Sequence, residues 1–186
     1  VLNLTGALVK IALVAWMAWG VYNQQVYEIR LALLPALDLV LRVGPLALYF
    51  IVLSSGLWLV TTIYAIGYLE GSPNRSRFFG FFSLCVTSTV GVAMAGNLFT
   101  FLLFYEMLTL ATYPLVVHRG TEAARRAGRS YLAYTVSGGA LLLAGTVWLY
   151  SLTGTLEFTP QGFVSGLDAS HPVSYTHLTL PTNREV

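Results

Sequence analysis

The sequence predicts an all-α protein, a polytopic bundle of about five membrane-spanning helices. Three observations predict it. Only 10% of the 186 residues are charged, against about 25% in an average soluble domain, while 56% belong to the hydrophobic set. The mean hydropathy is +0.69, which excludes a disordered chain and an ordinary soluble domain. Charge-free runs recur at lengths suited to roughly 30 Å of hydrocarbon, which takes about 20 apolar residues in a helix. The runs are long and do not alternate, so barrel strands are excluded. Helices are then the remaining way to satisfy every backbone polar group in lipid.

The first helix is expected near residues 4–22, over Leu4–Tyr22, interrupted only by Lys10. Lys10 sits toward one end of that run, where a long side chain snorkels to the headgroups. The segment Leu37-Asp-Leu-Val-Leu-Arg-Val43 has apolar residues at 37, 39, 41 and 43. That alternation suggests a short strand or an interfacial segment, or else a loop packed on the bundle, with Asp38 and Arg42 sharing the other face. The second helix is expected near 45–69, within the charge-free run Val43–Leu69. Phe78–His118 carries one ionised group, Glu106, and is too long for a single span. Gly96-Asn97 divides it into helices near 78–95 and 97–117. The fifth is expected near 130–150, in the charge-free run Ser130–Leu156.

Residues 1–170 therefore read as one transmembrane domain. From His171 the texture becomes polar and threonine-rich, like translated read-through of a sequencing adapter, so 171–186 is read as a non-native tail. His171 and His177 are set aside as ligands for that reason. With Val1 in place of an initiating Met, the chain is read as a fragment.

The connections predict an orientation. Arg75, Arg77, Arg119, Arg125, Arg126 and Arg129 fall on the side of the N-terminus, and Arg30 and Arg42 on the other. The positive-inside rule then places the N-terminus and the Arg119–Arg129 loop in the cytoplasm of a bacterial inner membrane. A net charge of +2 without a basic stripe argues against a nucleic-acid partner. A lone cysteine, Cys85, excludes an internal disulfide and a cysteine metal cluster. There is no Walker loop, no GxGxxG after a strand and no HExxH, so no cofactor and no metal are expected.

Glu106 is the residue to explain. Every other residue of Leu98–Val117 is uncharged. An ionisable group at bilayer depth costs at least about 2.5–3.5 kcal/mol on insertion scales, and such groups face bundle interiors or hydrated paths. Thr109 and Tyr113 lie three and seven residues on, within about 60° of Glu106 at 100° per residue. Pro114 cannot donate a backbone bond, so the Leu110 carbonyl loses its helical partner. A carboxyl, two hydroxyls and a loosened carbonyl on one stripe suit a proton path, with Glu106 as carrier. His118, at the stripe's end, could collect protons, a role histidine side chains commonly take. Lys10 is a further candidate. The bland alternatives stand beside these: a structural hydrogen bond for Glu106, back-bonding for Thr109, interfacial placement for Tyr113 and His118. Ser137-Gly138-Gly139 and Gly145 read as a packing face.

The stretch from Gly96 to Val117 resembles a known family. An Asn97-Leu-Phe99 opening leads into a Phe/Leu-rich helix with a central Glu106, and the basic Arg125-Arg126-Ala-Gly-Arg129-Ser-Tyr131-Leu132 follows. These features are similar to the antiporter-like, proton-translocating membrane subunits of respiratory complex I and of Mrp-type monovalent cation/proton antiporters, nearest in character to the Mrp D-type subunit. The likeness runs from about Leu34 to Leu156. It implies a larger inverted-repeat transporter fold of about fourteen helices. Glu106 would match the family's essential glutamate, and the partner lysine would lie on a later broken helix outside this sequence. It also implies other membrane subunits as partners, with protons and Na+ as cargo. A subunit of a proton-pumping NADH-quinone oxidoreductase or a membrane hydrogenase remains an alternative, as does a non-transporting scaffold.

Overall fold

Each apolar run becomes a helix. In a computed structural model, which describes residues 2–34, 37–72, 74–159 and 162, the order is α1 (Leu2–Tyr22), β1 (Tyr27–Leu34), β2 (Leu37–Val43), α2 (Pro45–Tyr68), α3 (Arg75–Ala93), α4 (Leu98–Val116) and α5 (Glu122–Thr153). All five helices are long and apolar enough to cross a membrane. The expected tail, with His171 and His177, lies outside the described residues.

Two helices begin in charged sequence ahead of their charge-free runs. Helix α3 begins at Arg75 rather than 78, and α5 at Glu122 rather than 130. Residues 122–129, expected in a loop, are the first turns of α5. Ala, Glu and Arg are strong helix formers. Thr121 caps the helix by accepting a hydrogen bond from the Ala124 N–H at 3.2 Å. Absence of charge marks the depth of the hydrocarbon, and a helix is free to continue beyond it.

Consecutive helices pack as antiparallel neighbours, with the largest interface between α3 and α4. Lipid provides no hydrophobic drive between helices, so close packing and satisfied polar groups must hold the bundle. Buried hydroxyls bond back to their own helices: Ser55 to the Ile51 carbonyl, Ser88 to Leu84 and Thr146 to Leu142. The outward faces are apolar, with Trp16, Trp19, Leu141 and Val147 all exposed.

The first connection is a β-hairpin, which adds a two-stranded sheet to the helical fold. The alternation at 37–43 is β2. Its partner β1 alternates too, with Glu28 and Arg30 between Tyr27, Ile29 and Leu31, and the strands pair Tyr27↔Val43 through Ala32↔Asp38. Arg42 pairs across the strands with Glu28 at 2.7 Å, and Arg30 bridges Glu28 and Glu157, both at 2.6 Å.

This hairpin is bolted to the start of α4. The Gly96 N–H donates to the Val40 carbonyl at 2.8 Å, and the Arg42 N–H donates to the Met94 carbonyl at 2.7 Å. A Cβ at Gly96 would meet the Val40 Cγ1 at 2.6 Å, so the close approach requires glycine there. Asn97 is the hub. Its side-chain oxygen accepts from the Thr100 N–H and its amide donates to the Asp38 carbonyl, each at 2.7 Å. Such a cap contributes about 0.5–2 kcal/mol. The Thr100 hydroxyl accepts from the Val40 N–H at 2.8 Å. On the far side, Leu98 N–H donates to the Leu156 carbonyl and Phe158 N–H to Gly96. Strand, turn and the 155–158 segment thus fix where α4 begins, and with it the depth of Glu106.

The Glu28 ion pairs predict an acid dependence. Hydrogen bonds from Arg42 and then Arg30 hold its carboxyl below the ordinary value of 4.5. A depressed folded value means the stabilisation is complete above the unfolded value and is lost as pH falls through the folded one. Glu28→Gln is therefore expected to melt below wild type at neutral pH, with the gap closing as the pH drops below about 4.5. Thermal unfolding of the detergent-solubilised protein across pH checks this; a gap that persists unchanged in acid would contradict it.

Candidate functional site

Glu106 projects from the middle of α4 onto α5. A Cβ built at Gly139 would fall on the Glu106 carboxylate, so the absent side chain leaves the notch that the carboxyl fills. Glu106 Oε1 is fully buried and has no hydrogen-bond partner among the described residues. A buried acceptor left unmatched costs about 1–3 kcal/mol, more if charged. The fold therefore holds a carboxyl where a proton or a donor from elsewhere is needed.

The polar residues that follow run down the same seam. Thr109 is buried; its hydroxyl donates to the Tyr105 carbonyl at 3.0 Å, and its carbonyl accepts from the Tyr131 hydroxyl of α5 at 3.4 Å. The Tyr113 ring packs on Gly128 of α5. Helix α4 continues through Pro114, which has no N–H to offer Leu110. At the seam's end a cleft of about 990 Å³ opens, lined by Tyr68, Arg77, Tyr113, His118, Arg119 and Arg125 among others. The His118 ring lies edge-on to Phe78, with centroids 5.4 Å apart. Glu106, Thr109 and Tyr113 thus share the α4–α5 seam, and Tyr113 and His118 share the cleft.

Lys10 is elsewhere, and it does not snorkel. Helix α1 packs on α2, and the Lys10 ammonium lies 4.8 Å from the Trp58 ring centroid. Its Nζ is buried with no hydrogen-bond partner among the described residues. Lys10 sits well inside α1, and the indole face on α2 gives its ammonium a cation–π seat. Two residues of the seam escaped the sequence reading as site residues. Gly139 read as packing surface, because a missing side chain carries no chemical signal. Tyr131 read only as part of a motif, because its partner is a backbone carbonyl on another helix.

Two family models match this chain. Residues 35–79 match "NADH-Ubiquinone oxidoreductase (complex I), chain 5 N-terminus", and residues 95–170, which hold the whole α4–α5 seam, match "NADH:quinone oxidoreductase/Mrp antiporter, TM". The chain belongs to the antiporter-like membrane-subunit family of complex I and Mrp antiporters. Within this family it is 27% identical over 153 residues to the D-type subunit of the Na(+)/H(+) antiporter of Alkalihalophilus pseudofirmus, covering 81% of this chain and 31% of that protein. It is 30% identical over 145 residues to the L-type subunit of the NADH-quinone oxidoreductase of Mycobacterium tuberculosis, covering 77% and 22%. The Mrp complex structure from Dietzia sp. shares the fold, with a TM-score of 0.70 at 19% identity over 84% of this chain and 30% of that one. This antiporter-like chain, a multi-pass membrane protein, spans less than a third of the length of these curated relatives.

Proposed function

We infer that this chain forms part of the proton-conducting membrane subunit of a multisubunit monovalent cation (Na+)/H+ antiporter, with Glu106 the proton carrier inside the membrane. The observation that carries this reading is the buried, unpartnered carboxylate oxygen lodged against Gly139 on the α4–α5 seam. A carboxyl held out of water takes up or gives up a proton as nearby charge changes. Thr109 and Tyr113 continue the seam from Glu106 toward the cleft that holds His118, which serves as the collecting end. Lys10, over Trp58 on the α1–α2 side, is left out of this path. The six-to-two arginine bias supports a cytoplasmic position for that cleft and the N-terminus, and the family likeness supports a bacterial inner membrane. Other membrane subunits of the assembly are its partners.

A redox-driven role in a complex I-like enzyme is the second reading, favoured by the 30% identity to the mycobacterial NADH-quinone oxidoreductase subunit. Vesicles separate the two. In everted vesicles carrying the complete assembly, addition of Na+ is expected to collapse a preformed pH gradient. No response to any monovalent cation, with acidification on NADH oxidation that depends on this chain, would establish the second reading instead.

A further inference from the structure

We propose that the basic cleft at the ends of α2 to α5 binds the phosphate of an anionic phospholipid. Arg77, Arg119 and Arg125 converge on it from three different segments, and none of its lining residues is acidic. Among the described residues, none of the three forms an ion pair; the bond that Arg119 makes is to the Tyr68 hydroxyl at 3.4 Å. The family's proton path does not account for three unpaired guanidinium groups in one place.

Backbone charge adds to theirs. Two helices start at the cleft, so the positive ends of both dipoles lie there. Helix α5 is capped by Thr121, but α3 begins at Asn74 in the left-handed conformation (φ 60°) with no side-chain cap. Its first N–H groups are therefore open to an anion, as helix N-termini that bind phosphate are. A phosphate there would meet backbone donors, guanidinium forks and the hydroxyls of Ser72 and Thr121.

The position selects a lipid over a free phosphate. The cleft lies where α2 and α4 end and α3 and α5 begin, on the headgroup side of the charge-free runs. Leu69 and Val117 line it beside the arginines, and Tyr68, also in the lining, is 62% exposed. A headgroup can sit among the charges while its chains follow the apolar wall. Basic pockets between spanning helices recognise phospholipid headgroups in this way.

The test uses the intact assembly in nanodiscs, with phosphatidylglycerol and phosphatidylcholine as probes and native mass spectrometry of retained lipid as readout. Wild type is expected to retain phosphatidylglycerol over phosphatidylcholine. The triple variant Arg77→Gln, Arg119→Gln, Arg125→Gln should weaken that retention by at least about tenfold, the loss expected for one hydrogen bond to a charged group. Removing arginines can disturb insertion, so Thr121→Asp provides a second arm. It keeps the helix cap and all the arginines but places an anion in the cleft, and retention should fall comparably. Arg126→Gln, which removes a basic residue outside the cleft, should retain lipid as wild type does. Unchanged retention in both cleft variants, or an equal loss in Arg126→Gln, would overturn the site. Displacement of the lipid by millimolar inorganic phosphate would overturn the lipid as its ligand.

Discussion

Glu106→Gln is expected to reduce cation-driven proton movement to the level of membranes lacking the chain, with the assembly formed in normal yield. The two side chains are nearly the same size, so the amide fits the notch at Gly139. What it lacks is a group that gains and loses a proton. The insertion cost runs the same way: a charged carboxyl at bilayer depth costs about 2.5–3.5 kcal/mol, and a neutral amide less. Assembly should therefore survive or improve while transport disappears. The scaffold alternative predicts no functional change. Dye-monitored gradient collapse in everted vesicles, with assembly checked by blue native electrophoresis, decides between them. Transport at the wild-type rate in this variant would end the assignment of Glu106.

Gly139→Ala is the second large effect, and it separates position from stability. A Cβ there collides with the end of a flexible side chain, so the carboxyl can swing away at small cost. Alanine is also the better helix former, by about 1 kcal/mol. The melting temperature should hold or rise, yet the carboxyl must leave its notch. The expected result is a slower exchange rate with a displaced pH optimum. Gly138→Ala is the matched control, since a Cβ at Gly138 meets nothing within 4 Å. A pH–rate profile for Gly139→Ala that overlays the Gly138→Ala profile would show that the notch has no part in placing Glu106.

The two variants also bear on what was legible beforehand. Glu106 stood out in one dimension because its cost in lipid is intrinsic to the residue. The 300° between Glu106 and Thr109 already placed them near one face, because helix geometry is local. Which neighbour that face would meet was not local. Nothing in Gly138-Gly139 distinguishes its two glycines until α5 is laid against α4. Lys10 illustrates the opposite error. A long cationic side chain near one end of a run suggested an escape to the headgroups, but Trp58 lies on another helix, about fifty residues along the chain.

Composition and the spacing of charges were enough to establish five spans and to single out one intramembrane acid. The free energy of moving groups between water and lipid is large, additive and independent of what the chain folds against. The hairpin's anchorage through Asn97, the notch at Gly139, the cation–π seat of Lys10 and the convergence of three arginines had to wait for the folded chain. Each rests on contacts a few ångströms long between residues far apart in sequence, where the energy depends on which surfaces meet.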